Sequence, residues 1–263
     1  MVKAPSKSIL FNEEIFGDIA RNIFKNVKEN FICLITSGSI QLGQALPGWS
    51  DLDFIVVVKN LNFATKIKLN KLFKDIERYY RIKVGGVAVS IDELIKPEIL
   101  IQRLEGKVLQ SLLELQRGRQ KLYFLKRNFK CPFCLILNKK QIKAFTLNEI
   151  GRIFALYRRL ILRSDLQSKD GLVRLLKQSI SYSIIITKLA IQYFSGITCC
   201  SDKLILEQAI KMFPKKLVKQ FKKILIFKAK WPGSNKIKDQ LNEVDQYLES
   251  FLFYVFKRVE NKV

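Results

Sequence analysis

The sequence predicts an α+β protein in two parts: a small mixed sheet with covering helices over residues 1–145, then an all-α helical bundle over residues 146–263. Three observations predict it. Two β-branched apolar runs, Phe31–Thr36 and Leu52–Val58, stand close together, separated by glycine- and proline-containing turns. Helical periodicity precedes and follows them. Beyond Phe145 only the helical period recurs, with no internal repeat and no low-complexity tether, so the boundary is a change of periodicity. With 48% hydrophobic and 11% aromatic residues, the chain has the material for a packed core.

Each element has its own justification. From Phe11 to Asn30, apolar residues recur as Phe11, Ile15, Ile19, Ile23 and Val27, with acids early and lysines late, as the helix dipole favours. Phe31–Thr36 reads as a buried strand stopped by Ser37-Gly38-Ser39, and Leu52–Val58 as its neighbour after Pro47-Gly48. Asn62–Tyr80 returns to helical spacing, and Ile82–Ser90 reads as a third strand carrying two glycines. After Pro97 an amphipathic stretch runs to about Gln116, followed by an ambiguous Lys121–Leu137 segment that fits a hairpin around Cys131-Pro-Phe-Cys134. Thr146-Leu-Asn-Glu149 has the pattern of a capping box opening a helix, and further helices are expected over 171–195, 202–212, 214–229 and 236–259.

Composition excludes several chemistries. The chain has no histidine, which removes Ser-His-Asp and Cys-His nucleophile pairs, imidazole acid–base catalysis and His-containing zinc sites. Catalysis must come from carboxylates, lysines or a bound metal. The five cysteines (Cys33, Cys131, Cys134, Cys199 and Cys200) are an odd set, pointing to a reducing compartment. Their spacing is not that of a two-knuckle zinc site, so buried or incidental thiols are the favoured reading. Met1 to Lys7 lacks an apolar leader core, and the most apolar stretch, Tyr182–Phe194, is short and interrupted by Lys188. The expectation is a soluble cytoplasmic protein without a membrane partner.

The most informative segment is Thr36-Ser37-Gly38-Ser39, then Gly43 and Pro47-Gly48, then Ser50-Asp51-Leu52-Asp53 entering the second strand. Two carboxylates at alternate strand positions share a face about 6–7 Å apart, which suits a hard divalent cation, while Leu52 turns to the core. The glycine before Ser39 allows backbone amides close to a phosphate, and the Ser39 hydroxyl adds a donor where a following helix begins.

This arrangement resembles the DNA polymerase β-like nucleotidyltransferase superfamily, whose signature is Gly-Ser, a spacer of roughly ten residues, and Asp-x-Asp on a strand. Here the spacer is the 11 residues Ile40–Ser50. The run is most similar to that of streptomycin/spectinomycin-type aminoglycoside adenylyltransferases. Their helical domain has a basic residue, a glycine eight residues on and a lysine shortly after; Lys188, Gly196 and, with a two-residue slip, Lys203 resemble that set, followed by Phe213-Pro214. The resemblance implies a nucleotidyltransferase domain and a helical bundle that closes over the nucleotide. It implies transfer of a nucleoside monophosphate, AMP from ATP or the like from another nucleoside triphosphate, to a hydroxyl acceptor. Asp51 and Asp53 would hold Mg²⁺ or Mn²⁺, Gly38 and Ser39 would cradle phosphate oxygens, and Lys188 and Lys203 would meet the phosphates.

Two departures bear on the reaction and its acceptor. The family carries a third carboxylate, the general base, on the strand beside Asp-x-Asp, but Lys83–Ser90 has no acid; the best register puts Gly86 there, with Asp92 and Glu93 beyond the strand and Glu149 one candidate in the helical half. The family's aminoglycoside-binding Asp, ten residues before the basic residue, is Gln178 here. Charge points the same way. Residues 1–105 carry 15 Lys and Arg against 12 Asp and Glu, whereas residues 106–263 carry 32 against 11, a field that repels a polycation. The acceptor is therefore expected to be anionic rather than an aminoglycoside. The alternatives are a catalytically weak nucleotide- or RNA-binding regulatory protein, its nucleic acid held on the basic helical half, or a nucleotidyltransferase acting on a protein partner.

Overall fold

The computed structural model describes residues 14–41, 43, 45–46, 49–95, 106–116, 121–124, 139–199, 201–231 and 236–261. The chain divides into two compact units, Met1–Leu137 and Asn138–Val263.

In the first unit, α1 (Glu14–Val27) leads through a 3-10 turn into β1 (Phe31–Ser37), then a one-turn helix α2 (Gly38–Gln41) and β2 (Asp53–Val58). Helix α3 (Phe63–Tyr80), β3 (Val87–Ser90), α4 (Ile91–Ile95), α5 (Gly106–Gln116) and β4 (Leu122–Phe124) follow. The strands form one mixed sheet in the order β3-β2-β1-β4. β1 pairs antiparallel with both β2 and β4, and β2 pairs parallel with β3 across the α3 crossover, as parallel strands require. Asn62 starts α3 by accepting from the Thr65 amide at 2.9 Å, and Arg81 closes it in the left-handed conformation.

Both faces of the central strands are buried, which is why their sequences read as continuous apolar runs. Ile15, Phe16, Ile19 and Ile23 of α1 and Leu69, Leu72 and Ile76 of α3 pack on Leu34, Leu52, Phe54, Val56 and Val58. Asp53, Ile55 and Val57 therefore lie on the opposite face. The third strand is shorter than its sequence predicts: the ladder spans Val87–Ser90, and Val84 forms an isolated parallel bridge to Leu52. Gly85-Gly86 lies between them, where missing side chains weaken a strand.

The second unit is helical throughout its described residues: α6 (Lys139–Arg163), α7 (Lys169–Ser195), α8 (Asp202–Met212), α9 (Lys215–Ala229) and α10 (Ile237–Glu260). Helix α7 is central and packs against the other four. Ser168 and Ser201 cap α7 and α8, and Gly196 at φ +72° ends α7 in the left-handed turn that glycine adopts without strain. The core stacks Phe221, Tyr247 and Phe251, and the buried hydroxyls of Tyr247 and Thr187 lie 2.5 Å apart. Burial and the Asp245 carboxylate, which accepts from the Tyr157 hydroxyl at 2.6 Å, push the Tyr157 phenol pKa up and keep it a donor.

One helix start differs from the sequence reading. Thr146 lies inside α6, its hydroxyl donating back to the Ile142 carbonyl at 2.6 Å, and Glu149 is paired with Arg152 instead of reaching back to a cap. The stripe of Phe145, Ile150, Ile153 and Tyr157 is buried as one face, and that packing carries the helix through the capping pattern. The Cys131-Pro-Phe-Cys134 hairpin and Cys200 lie outside the described residues; Cys33 and Cys199 are buried. Among the described residues no helix is long and apolar enough to cross a membrane.

The α6–α7 connection depends on one glycine. A Cβ on Gly171 would lie 2.0 Å from the Asp165 carbonyl oxygen, a backbone atom that side-chain rotation cannot relieve. Gly171→Ala is therefore expected to destabilise the chain by about 2–3 kcal/mol, read as a lower urea midpoint. An unchanged midpoint would show that the turn is not packed this way.

Candidate functional site

The site grows from the ends of β1 and β2. Cross-strand register sets Ser37 opposite Asp53, so the chain leaves β1 beside the carboxylate that opens β2. Gly38 turns at φ +78°, and a Cβ there would lie 2.4 Å from Asp53 Oδ2 and 2.8 Å from its Cβ. Only glycine lets the backbone approach Asp53 this closely. The α2 turn that follows has four residues, so any anion would meet individual amides rather than a helix dipole.

The loop back to β2 is tied by hydroxyls. Ser39 Oγ donates to Ser50 Oγ at 2.8 Å, and Ser50 Oγ also accepts from the Leu46 amide at 2.9 Å. Leu46 O accepts from the Trp49 and Ser50 amides, and Trp49 is buried. These bonds fasten Ser39 to the residue preceding Asp51. On the aspartate face Ser37 Oγ lies 2.8 Å from Ser111 Oγ of α5; Thr36, which points to the other face, bonds main-chain and side-chain groups to Lys121, seating β4 beside β1. Helix α5 also carries Glu114, a carboxylate buried to 3% exposure.

Asp51, Leu52 and Asp53 divide as alternation requires. Leu52 is fully buried in the core, and the two half-buried aspartates share the opposite face. The backbone at Leu52 is clamped from both sides: its amide donates to Lys83 O at 2.8 Å, and its carbonyl accepts from the Gly85 amide at 2.9 Å. The parallel register, Leu52 to Val84 and Ile55 to Val87, sets Lys83 beside Asp51 and Gly85 beside Asp53. Lys83 Nζ stands 3.7 Å from Asp51 Oδ2.

This register corrects the position of Gly86. A Cβ there would meet the rings of Phe54 and Phe73 at 2.9 Å, so Gly86 faces the α3 side, away from the aspartates. Those rings form an edge-to-face pair at 5.2 Å, and Gly86 leaves the room for it. The positions of this strand that share the carboxylate face are Lys83, Gly85, Val87 and Val89, none of them acidic. Glu93 caps its own turn by accepting from the Ser90 amide at 2.7 Å, and Glu149 holds Arg152 through two bonds of 2.6 and 2.7 Å.

The donor set fits a cation shared with a ligand better than a protein-only cage. No cluster of three or more acidic or cysteine side chains suited to a metal occurs among the described residues. Two carboxylates on one face, next to a glycine turn, suit a hard cation whose shell phosphate oxygens and water complete. Asp51 and Asp53 would hold it.

The structure brings Gly38, Ser39, Asp51 and Asp53 together in the first unit. Lys188 and Lys203 belong to the second unit, on consecutive helices, Lys188 half-buried on α7 and Lys203 exposed in the first turn of α8. Gly196 between them is accounted for by its cap. Gln178 lies on α7, its amide oxygen buried without a hydrogen-bond partner. Sequence reading missed Lys83, Ser50 and Ser111. Their places depend on register and helix docking; only the proximity of Lys83 to Gly85-Gly86 hinted at the first.

Residues 20–110 match the family model described as a nucleotidyltransferase domain. The crystal structure of a spectinomycin adenyltransferase from Enterococcus faecialis, solved with ATP and spectinomycin, aligns over 90% of this chain and 100% of its own, with a TM-score of 0.54 and 14% identity. At that identity the likeness is one of fold. No curated protein sequence matches the chain. Residues 20–110 are thus similar to a nucleotidyltransferase domain, in a chain that shares its fold with a spectinomycin adenyltransferase.

Proposed function

We propose that the protein transfers a nucleoside monophosphate, AMP from ATP, to a hydroxyl acceptor other than an aminoglycoside. The observation that carries this reading is the close approach of Gly38 to Asp53, which sets the glycine turn beside the pair of carboxylates. Asp51 and Asp53 hold Mg²⁺ or Mn²⁺ together with the triphosphate, and the amides around Gly38 and Ser39 receive phosphate oxygens. Lys188 and Lys203 are assigned to the phosphates by resemblance alone. When bound, the cation offsets the charge that develops as the acceptor oxygen bonds to the α-phosphorus and the bond to pyrophosphate breaks. The acceptor proton passes to water or to the departing pyrophosphate, since the site-facing positions from Lys83 to Val89 supply no carboxylate. The excess of Lys and Arg beyond residue 105 disfavours a polycationic acceptor.

Titration calorimetry with a non-hydrolysable ATP analogue and Mg²⁺ tests the reading. Asp51→Asn/Asp53→Asn is expected to weaken the analogue by tenfold or more; equal affinity in the two proteins would remove the assignment.

A second reading, binding of RNA, is favoured by helix α9. Leu217, Val218, Phe221 and Ile224 turn into the core, and the opposite face exposes Lys215, Lys216, Lys219, Lys222 and Lys223. The helix has no acidic residue, and among the described residues its ion pairs are Glu243 with Lys223 and Asp202 with Lys228. A charge-dense ridge of this kind suits a phosphate backbone. Single-stranded RNA affinity, followed by anisotropy against salt, should give a steep log–log slope. Lys215→Gln/Lys219→Gln/Lys222→Gln is expected to reduce that slope by about two, at roughly 0.7 per phosphate contact. An unchanged slope would assign the ridge to solvent.

A further inference from the structure

We propose that Lys83 is a cation built into the nucleotide site: it neutralises Asp51 in the empty protein and binds a phosphoryl oxygen of a nucleoside triphosphate when one enters. The inference rests on the proposed transferase reading and names a phosphate ligand that neither the motif nor the resemblance supplies.

Three observations carry it. The parallel register that pairs Leu52 with Val84 and Ile55 with Val87 fixes Lys83 on the carboxylate face, one strand over from Asp51. Its backbone cannot drift from there, because Lys83 O accepts the Leu52 amide at 2.8 Å and Gly85, two residues on, returns a bond of 2.9 Å to Leu52 O. Its ammonium lies 3.7 Å from Asp51 Oδ2, while the side chain is 69% exposed and so free to turn. A lysine has a point charge, three donors and a flexible stem, the features needed to exchange a carboxylate for a phosphate without moving backbone.

The exchange also follows from charge. Where the resemblance calls for a third carboxylate on this strand, the aspartate face offers Lys83, Gly85, Val87 and Val89. On this face, the described residues 51–58 and 83–90 thus carry two negative charges, Asp51 and Asp53, and one positive, Lys83. An ammonium beside Asp51 opposes a divalent cation at the same carboxylate as long as no phosphate is present. A triphosphate reverses this, since its oxygens attract both cations. Lys83 therefore ties metal binding to nucleotide binding, loading the two together.

Two titrations read this out with opposite signs. In nucleotide-free protein, Mn²⁺ followed by its free-ion electron paramagnetic resonance signal is expected to bind Lys83→Ala about three- to tenfold more tightly than wild type. At saturating Mn²⁺, the non-hydrolysable ATP analogue is expected to bind Lys83→Ala roughly tenfold more weakly. Lys83→Arg should stay near wild type in both. Lys59→Ala, an exposed lysine just past the far end of β2, controls for bulk charge and should move neither. If Asp51→Asn/Asp53→Asn abolishes Mn²⁺ binding but Lys83→Ala shifts neither titration, or shifts both the same way, the role of Lys83 is overturned and the transferase reading stands. If Mn²⁺ and analogue binding are indifferent to the aspartates, the transferase reading fails and takes this inference with it.

Discussion

Asp51→Asn/Asp53→Asn is expected to lower pyrophosphate release from ATP by about a thousandfold, with the melting temperature kept or slightly raised. The magnitude follows from charge. A metal-held phosphoryl group contributes several kcal/mol to its transition state, and each 1.36 kcal/mol is a factor of about ten in rate. Asparagine keeps the shape of both side chains and removes the two charges a hard cation needs. Stability should change little, because two half-buried carboxylates on one face repel each other, and the lost Asp51–Lys83 contact, at 3.7 Å with the lysine largely exposed, is worth about 0–1 kcal/mol. The single variants separate the roles: losses that fail to add would mark the two aspartates as one unit. Wild-type release by the double variant, in a folded protein, would remove Asp51 and Asp53 from the chemistry.

Gly38→Ala is expected to cost both stability and nucleotide affinity, and Gly43→Ala separates the two. Each glycine sits at positive φ, +78° and +66°, where alanine is strained by roughly 1–2 kcal/mol. Among the described residues nothing lies within 4 Å of a Cβ added at Gly43, whereas at Gly38 it meets Asp53 Oδ2 at 2.4 Å and Asp53 Cβ at 2.8 Å. The carboxylate can rotate away, but its Cβ is fixed by the β1–β2 pairing of Ser37 with Asp53. Gly38→Ala therefore displaces the Asp53 carboxylate from its place. Both variants should melt lower, Gly38→Ala further because of its clash, and only Gly38→Ala should lose ATP-analogue affinity, by about tenfold or more. Equal affinities in the two variants would mean that the close approach of Gly38 to Asp53 has no part in binding.

Much of this molecule is legible in its residues, and the illegible part has a common cause. The helices expected over 202–212 and 214–229 form at Asp202–Met212 and Lys215–Ala229, with Ser201 capping the first and Pro214 preceding the second. Strands β1 and β2 are announced by apolar runs too short for helices and bounded by turn residues. These signals are local, so a sequence carries them whole. The capping pattern at Thr146 is local too, yet it misleads, because the buried stripe around it continues in both directions and packing outweighs a cap by several side chains to one. Gly86 misleads for the opposite reason. A one-residue choice of register exchanges the faces of a strand, and nothing within Lys83–Ser90 fixes that choice; the bridge from Leu52 to Val84 does.

By itself, then, the sequence determined the α+β class, the Gly38-Ser39 and Asp51-x-Asp53 elements and the absence of any imidazole, since each depends on residue type and spacing along the chain. Only the tertiary structure decided that Gly38 touches Asp53, that Ser39 is tied to Ser50, and that the face beside Asp51 carries the ammonium of Lys83 where a carboxylate was sought. Those facts come from pairing segments that the chain keeps far apart. Register and turn geometry set them, and composition carries no record of either.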